Sequence, residues 1–384
     1  MPGPDPGDRP RSASASGDDL DDIEQAWGAT TPGLVCAHHH LYSALARGMP
    51  PPPKDPTSFH EILENVWWRI DRALDHDMIE WSAKLAALEA LEAGCTAIID
   101  HHESPEAIEG SLTVIADACN EVGVRVSTCY GITDRHGPDG ARRGLAENDR
   151  YLSELRAADR SADPAAEGAG MRRGMVGVHA AFTCTDDQLA AAAELAESHG
   201  VGVHVHVAEG IDDVGAPERI RDLTRDDWLL IHGVHLPDDH GLRGTIVHNP
   251  RSNMNNSVGY ADPSRFANPV ALGTDGIGAD MFSEFQIAHL AHRAHDVSAS
   301  PESSWSWLQN NQTLFAEAGQ DLVRWSYEPL DAWHVAFTPT INALEVHVGG
   351  RPALIDGVPT RVDAAEIRAK AGEQAVRLHR ALRS

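Results

Sequence analysis

The apolar run Leu34-Val35-Cys36-Ala37 ends in three consecutive histidines, His38, His39 and His40. A neutral imidazole nitrogen is a ligand for divalent metals. In a strand, residues i and i+2 point to one side and i+1 to the other. His38 and His40 can therefore share one ion, with His39 facing away. The same chemistry recurs at His206 in "GVHVHVAE" and at Asp275 in "PVALGTDG". The set His38, His40, His206 and Asp275 suits one divalent ion per chain, zinc foremost and ferrous iron as the alternative, with a position left open for water. His204, two residues before His206, lies deeper on the same side and is an alternative ligand. Glu209 follows His206 by three residues. It reads either as a proton carrier beside that water or as an acid at a helix N-terminus, where the dipole favours it.

Such residues need a scaffold that brings distant strand ends together. Eight short β-branched runs, at 34–38, 96–101, 125–131, 175–181, 202–209, 228–234, 244–250 and 269–276, alternate with segments of helical period such as 80–94, 111–123 and 185–200. Eight strand–helix units predict an α/β fold, a closed (β/α)8 TIM barrel, in which the last strand neighbours the first and the active site lies at the C-terminal strand ends. Those ends carry His38 and His40, then Asp100, His101 and His102, then Tyr130, His179, His206, His232, His248 and Asp275. The barrel is expected over 31–325. A mobile acidic segment, with one short helix near 20–27, is expected before it over 1–30. After it, 326–384 reads as a β appendage, two strands joined at Gly349-Gly350, and a terminal helix.

Composition removes several classes. With 58 acidic and 31 basic residues the net charge is −27, which repels phosphate backbones and anionic membranes, so nucleic acid is not an expected partner. No apolar stretch is long enough for a membrane helix, and the N-terminus lacks the apolar core of a secretory signal. The five cysteines form no CxxC pair and read as buried thiols in a reducing cytoplasm.

In the order "PGLVCAHHHLYSALARGM", "DHHESPEAIEGSLTVIADA", "HVHVAE", "IHGVHL", "VHNPRSNMNN" and "LGTDG", the chain resembles the amidohydrolase superfamily. Within it the likeness is to the cytosine- and guanine-deaminase-like branch, with its SsnA-like aminohydrolases and 8-oxoguanine-type deaminases. The resemblance runs from about 32 to 284. It implies that His38, His40, His206 and Asp275 hold the metal and that Glu209, His232 and Asp275 are catalytic. His179 and His248 match positions that line the substrate pocket, Asn249 and Arg251 lie beside them, and His102 is the member of its histidine pair assigned to the pocket. Members with two metals bridge them by a carboxylated lysine on the fourth strand. The only lysines here are Lys54, Lys84 and Lys370, so a mononuclear centre is implied.

The implied reaction is hydrolytic deamination of a small nitrogen heterocycle such as an oxopurine or pteridine. Asp275 takes a proton from the attacking water, His232 steadies it, and Glu209 protonates the ring nitrogen and then the leaving ammonia. The alternative is hydrolysis of another C–N, C–Cl or C–S bond, or of a cyclic amide, on the same site. Trp67 and Trp68 read as packing residues, and Arg47 as a surface or substrate contact. Family members usually carry a β-sandwich built from both sides of the barrel, and the short N-terminal segment predicts a reduced one. A homodimer is expected of such barrels.

Overall fold

A computed structural model describes residues 29–159 and 170–383. The sequence expectation for the acidic N-terminal segment and its short helix falls, but for residues 29 and 30, outside the described residues.

Eight parallel strands pair in chain order: β1 (Leu34–His39), β2 (Cys95–His102), β3 (Arg125–Ile132), β4 (Val176–Ala180), β5 (Val203–Val207), β6 (Leu229–His232), β7 (Thr245–His248) and β8 (Val270–Leu272). The ring closes beyond β8. There the Thr274 and Asp275 N–H groups donate to the His38 carbonyl at 2.9 and 3.1 Å, and His39 bridges Asp275 in parallel. The (β/α)8 barrel is therefore as the sequence indicates. Helix α1 (His76–Glu92) starts where the Asp75 side chain accepts the Met78 N–H. Helix α2 (Ser111–Val122) follows β2. Helix α3 (Asp186–His199) opens on a Thr185–Gln188 capping box.

The barrel interior follows period two. Val35, Ala37, Ala97, Ile99, Leu229, Ile231, Val247 and Ala271 form one buried cluster, plugged by Phe315 and Ala318. Their neighbours in sequence, such as Cys36, Ile98, Leu230, Ile246 and Leu272, face the surrounding helices. Two close approaches demand glycine. A Cβ on Gly131 would stand 2.5 Å from the His101 ring, and one on Gly273 would stand 2.4 Å from Asn249 Oδ1 and 2.7 Å from the His38 Cβ.

Beyond the barrel, β9 (Leu322–Trp325), β10 (Ala343–Val348) and β11 (Arg351–Ile355) form an antiparallel sheet, edged by Thr30–Thr31 and Val358–Pro359. The two strands at Gly349-Gly350 are present as expected. The appendage is one sheet, and it takes a strand from each side of the barrel. The sequence reading missed β9 and the Thr30–Thr31 strand because both are short and lack a long alternating run. The terminal helix α4 (Ala364–Ala381) is held to α1 by the pair Arg368–Glu92 at 2.7 Å.

The sheet is tied to the barrel floor by a buried ion pair. Arg125 at the start of β3 donates Nε and Nη2 to the two oxygens of Asp321 at 2.9 and 2.8 Å. Asp321 also accepts the Gly349 N–H at 2.9 Å. Asp321→Ala removes the carboxylate that this buried guanidinium pairs with, and we expect it to cost about 3–5 kcal/mol, read as a lower urea midpoint.

Candidate active site

Alternation alone delivers some of the site. On β5, His204 and His206 point inward while Val203, Val205 and Val207 pack outward. His101 on β2 continues the inward row of Ala97 and Ile99. Three other histidines reach the centre only because the backbone departs from regular strand. On β1 the inward row is Val35 and Ala37, which would carry His39 inward. A register shift between Cys36 and His39 resets the phase. His38 and His40 then turn in, and His39 turns out to Thr274 Oγ1 at 3.1 Å. On β6, Ile231 is inward, and His232 follows it inward through a left-handed backbone, φ 73°. Asp275 and Ala208 share that conformation at φ 54° and 47°. Such strain costs roughly 1–3 kcal/mol per residue and clusters where function requires it.

The result is a single convergence. The ligand atoms of His38, His40 and Asp275 lie within 4.8 Å of one another, as do those of His38, His206 and His232, and those of Glu209, His232 and Asp275. Asp275 Oδ1 is 3.0 Å from His40 Nε2 and 3.6 Å from His38 Nε2. His232 Nε2 stands 3.5 Å from Glu209 and 3.9 Å from Asp275.

The ring nitrogens that face away show what the centre is built to hold. His40 Nδ1 donates to the His101 carbonyl at 2.6 Å, and His206 Nδ1 to the His179 carbonyl at 2.7 Å. His232 Nδ1 is 2.7 Å from Asn253 Oδ1. Carbonyl oxygens only accept, so these rings carry their proton on Nδ1 and present a lone pair at Nε2. The Nε2 atoms of His40 and His206 nevertheless face each other at 3.4 Å. Those of His38 and His232 are buried with no hydrogen-bond partner. Facing lone pairs beside a carboxylate are favourable only around a cation. Without a metal, a proton on His40 Nε2 takes the place of that cation beside Asp275. Burial pushes the His40 imidazole down, but Asp275 outweighs it and lifts His40 to about 9. Burial works to raise Asp275, yet His38 and His40 hold it well below the usual carboxylate range. Burial and then the charge on His40 lower His206 to about 3. The donor set fits a divalent metal. Removing it with a chelator should lower Tm, and restoring zinc at about 1,000 times its Kd should return about 4 kcal/mol, read by thermal scans with and without zinc.

The cavity over this centre is lined by His40, His206, His232, Glu209 and Asp275, and also by His179, Tyr42, Asp71, Glu103, Trp67 and Trp68. His179 is part of the cavity wall. Trp67 and Trp68, read as packing residues, instead form part of the cavity wall. Four proposed substrate contacts do not line the cavity. His102 points outward between Tyr42 and Tyr130 and bonds Ser104 Oγ at 2.9 Å. His248 alternates with inward Val247 and so faces a separate cavity with Tyr260. Asn249 sits behind His232, with Nδ2 3.4 Å from its Nδ1. Arg251 pairs with the buried Glu284 at 3.2 Å. Arg47 pairs with Glu89 at the surface, 3.0 Å away. His204, the alternative ligand, places its Nε2 2.9 Å from His38 Nδ1.

The functional residues that the sequence reading missed come from the one-and-a-half-turn helix Pro250–Asn255 in "NPRSNMNN". Ser252 Oγ bonds Asp275 Oδ2. Asn253 holds His232. Asn256 donates to Glu209 Oε1 at 3.4 Å. One turn therefore supports all three proposed catalytic groups. The available signal was the spacing of 252, 253 and 256, which share one helical face.

A model of the Amidohydrolase family matches residues 29–309. The 5'-deoxyadenosine deaminase of Methanopyrus kandleri is 30% identical, over 70% of this chain and 63% of that protein. The match therefore spans less than two thirds of that relative's length. The 5-methylthioadenosine/S-adenosylhomocysteine deaminase of Shouchella clausii is 25% identical, over 96% of this chain and 91% of its own. Among solved structures, a zinc-bound adenosine deaminase from Xanthomonas campestris superposes with a TM-score of 0.75 at 21% identity, covering 91% of this chain and 86% of that one. An atrazine chlorohydrolase from Arthrobacter aurescens complexed with zinc gives 0.73 at 20%, covering 90% and 88%. Among the described residues no helix is long and apolar enough to cross a membrane.

Proposed function

The chain belongs to the amidohydrolase family, and from that premise we propose that it is a metal-dependent hydrolytic deaminase of a nitrogen heterocycle, with aminopurines of the adenosine type as its substrate class. The observation that carries this reading is the overlapping cluster of His38, His40, His206, His232, Glu209 and Asp275, whose ligand atoms lie within 4.8 Å of one another in three triads. The ion proposed is zinc, one per chain. When bound, it would supply Lewis acidity that makes water a nucleophile at neutral pH.

The chain's own groups do the rest. Asp275 takes a proton from the attacking water; its other oxygen is held by Ser252. His232 stands between the two carboxylates and orients that water. Burial, then the charge on Asp275, push the Glu209 carboxyl well above its ordinary value, which favours its protonated form. Glu209 gives that proton to the ring nitrogen beside the attacked carbon. The proton that Asp275 took then passes through Glu209 to the departing amine, which leaves as ammonia; the new hydroxyl returns its proton to Glu209, and the ring keeps a carbonyl. An amine needs such a donor, and Glu209 therefore favours an amine over chloride as the group expelled.

The substrate class follows the relatives, which are named for adenosine analogues, rather than the oxopurines and pteridines that the sequence resemblance suggested. The cavity suits either. Trp67, Trp68, Phe59 and Phe182 offer faces to a ring, and Tyr42, Asp71 and Glu103 offer polar contacts. The test is ammonia release by the zinc-loaded chain from 5'-deoxyadenosine, S-adenosylhomocysteine, 8-oxoguanine, pterin and a chlorotriazine. Ammonia from the aminopurines is the expected result. Ammonia from pterin or 8-oxoguanine alone would move the substrate class and keep the chemistry. Chloride from the triazine with no ammonia from any compound would overturn the deaminase reading.

A further inference from the structure

The partner of His38 differs in kind from the partners of the other ligands. His40 and His206 lean on backbone carbonyls and His232 on an amide oxygen. His38 Nδ1 instead meets a second imidazole, His204 Nε2, at 2.9 Å, and both rings are fully buried. One ring must donate and the other accept. His38 needs its Nε2 lone pair for the centre, where that atom has no other partner. Its proton is therefore on Nδ1, and His204 Nε2 must be bare.

This fixes the next ring as well. His204 then carries its proton on Nδ1, a buried atom with no partner of its own. Beside it, at 5.1 Å between ring centroids and nearly perpendicular, lies His101. His101 Nε2 is 3.2 Å from the Val178 carbonyl, which can only accept. That places the His101 proton on Nε2 and leaves its Nδ1 a bare acceptor, again buried and unpartnered. An unpartnered donor and an unpartnered acceptor thus lie on adjacent rings. The His101 backbone carbonyl also receives the His40 proton.

We propose that His204 is the positioning residue for His38: as a hydrogen-bond acceptor at Nε2, it locks His38 as an Nε2 ligand of the metal. This rests on the metal-centre reading above. Groups of this kind typically alter metal affinity 10–100-fold on removal. Neither ring lines the substrate cavity, so the effect should fall on the metal rather than on substrate binding.

The experiment measures zinc dissociation into an excess of chelator for wild type, His204→Leu and His204→Gln, alongside the thermal stability of each metal-free chain. Leucine cannot accept; the glutamine oxygen can, at similar reach. The expected result is zinc loss about 10–100-fold faster in the leucine variant, near wild-type loss in the glutamine variant, and similar metal-free stability in both. Equal zinc release from wild type and the leucine variant would overturn the proposal. Should the leucine variant fail to fold, histidine-15N spectra of the zinc-loaded wild type, assigned against His204→Gln, decide the matter. A proton on His204 Nε2 overturns the proposal; a bare Nε2 there supports it. If wild type itself binds no zinc, the metal-centre reading fails first, which is a separate outcome.

Discussion

Asp275→Asn should lower ammonia release by about 10³-fold or more while leaving a folded chain. Asp275 has two tasks. One oxygen lies 3.0 Å from His40 Nε2 and faces the centre; the other accepts from Ser252. Asparagine keeps a carbonyl oxygen and nearly the same shape, so it can still occupy the site, but it cannot take a proton. The variant thus separates base from ligand. Asp275→Ala removes both, and zinc should then leave the chain during dialysis. Stability should fall as well. Without metal, burial is outweighed by His38 and His40, which hold the Asp275 carboxyl well below its usual range, so the charged carboxylate stabilises the fold at neutral pH, and neutralising it removes that contribution. The metal-free asparagine variant should melt lower than metal-free wild type. An asparagine variant that retains zinc and turns over within tenfold of wild type would remove Asp275 from the proton path.

What the sequence revealed, and what it hid, follows from strand geometry. The barrel and its order were legible because apolar runs of five to eight residues alternate with capped helical segments. The pairs His38/His40 and His204/His206 were legible as pairs, since period two survives a phase change. Their phase was not. Val35 and Ala37 face the interior, so strict alternation would send His39 inward; only the irregular register at Cys36–His39 selects the other two. His232 depends in the same way on a left-handed residue, which the sequence does not announce. Period two could have excluded His248 and His102. Each follows an inward residue, Val247 and His101 respectively, with no later correction. The resemblance supplied their roles, and alternation opposes them. Ser252, Asn253 and Asn256 were hidden for another reason. Amides and hydroxyls in a Pro-started turn read as loop chemistry, and their use depends on three partners from three other segments.

Glu209→Gln should cut kcat by about 10²–10⁴-fold with zinc content unchanged, because Glu209 is not among the four proposed ligands His38, His40, His206 and Asp275. Its carboxylate is 3.5 Å from His232 and accepts from Asn256 at 3.4 Å. Glutamine can keep both contacts but has no proton to give. The sign of the pH effect follows from the environment. Burial, reinforced by the charge on Asp275, raises the Glu209 carboxyl well above 4.5. That direction favours the protonated form, and wild-type kcat should fall on the alkaline side as the proton is lost. In the glutamine variant this alkaline limb should disappear and leave a low, flat rate. The leaving group sharpens the test. Ammonia is a poor leaving group and needs the proton, whereas chloride does not. A substrate analogue with chloride in place of the amine should be nearly indifferent to Glu209→Gln if the residue acts at departure. If the chloro analogue slows as much as the amine, Glu209 acts earlier, at protonation of the ring nitrogen. Equal turnover of the amine substrate by wild type and Glu209→Gln would defeat both assignments and leave Asp275 as the sole proton carrier of the centre.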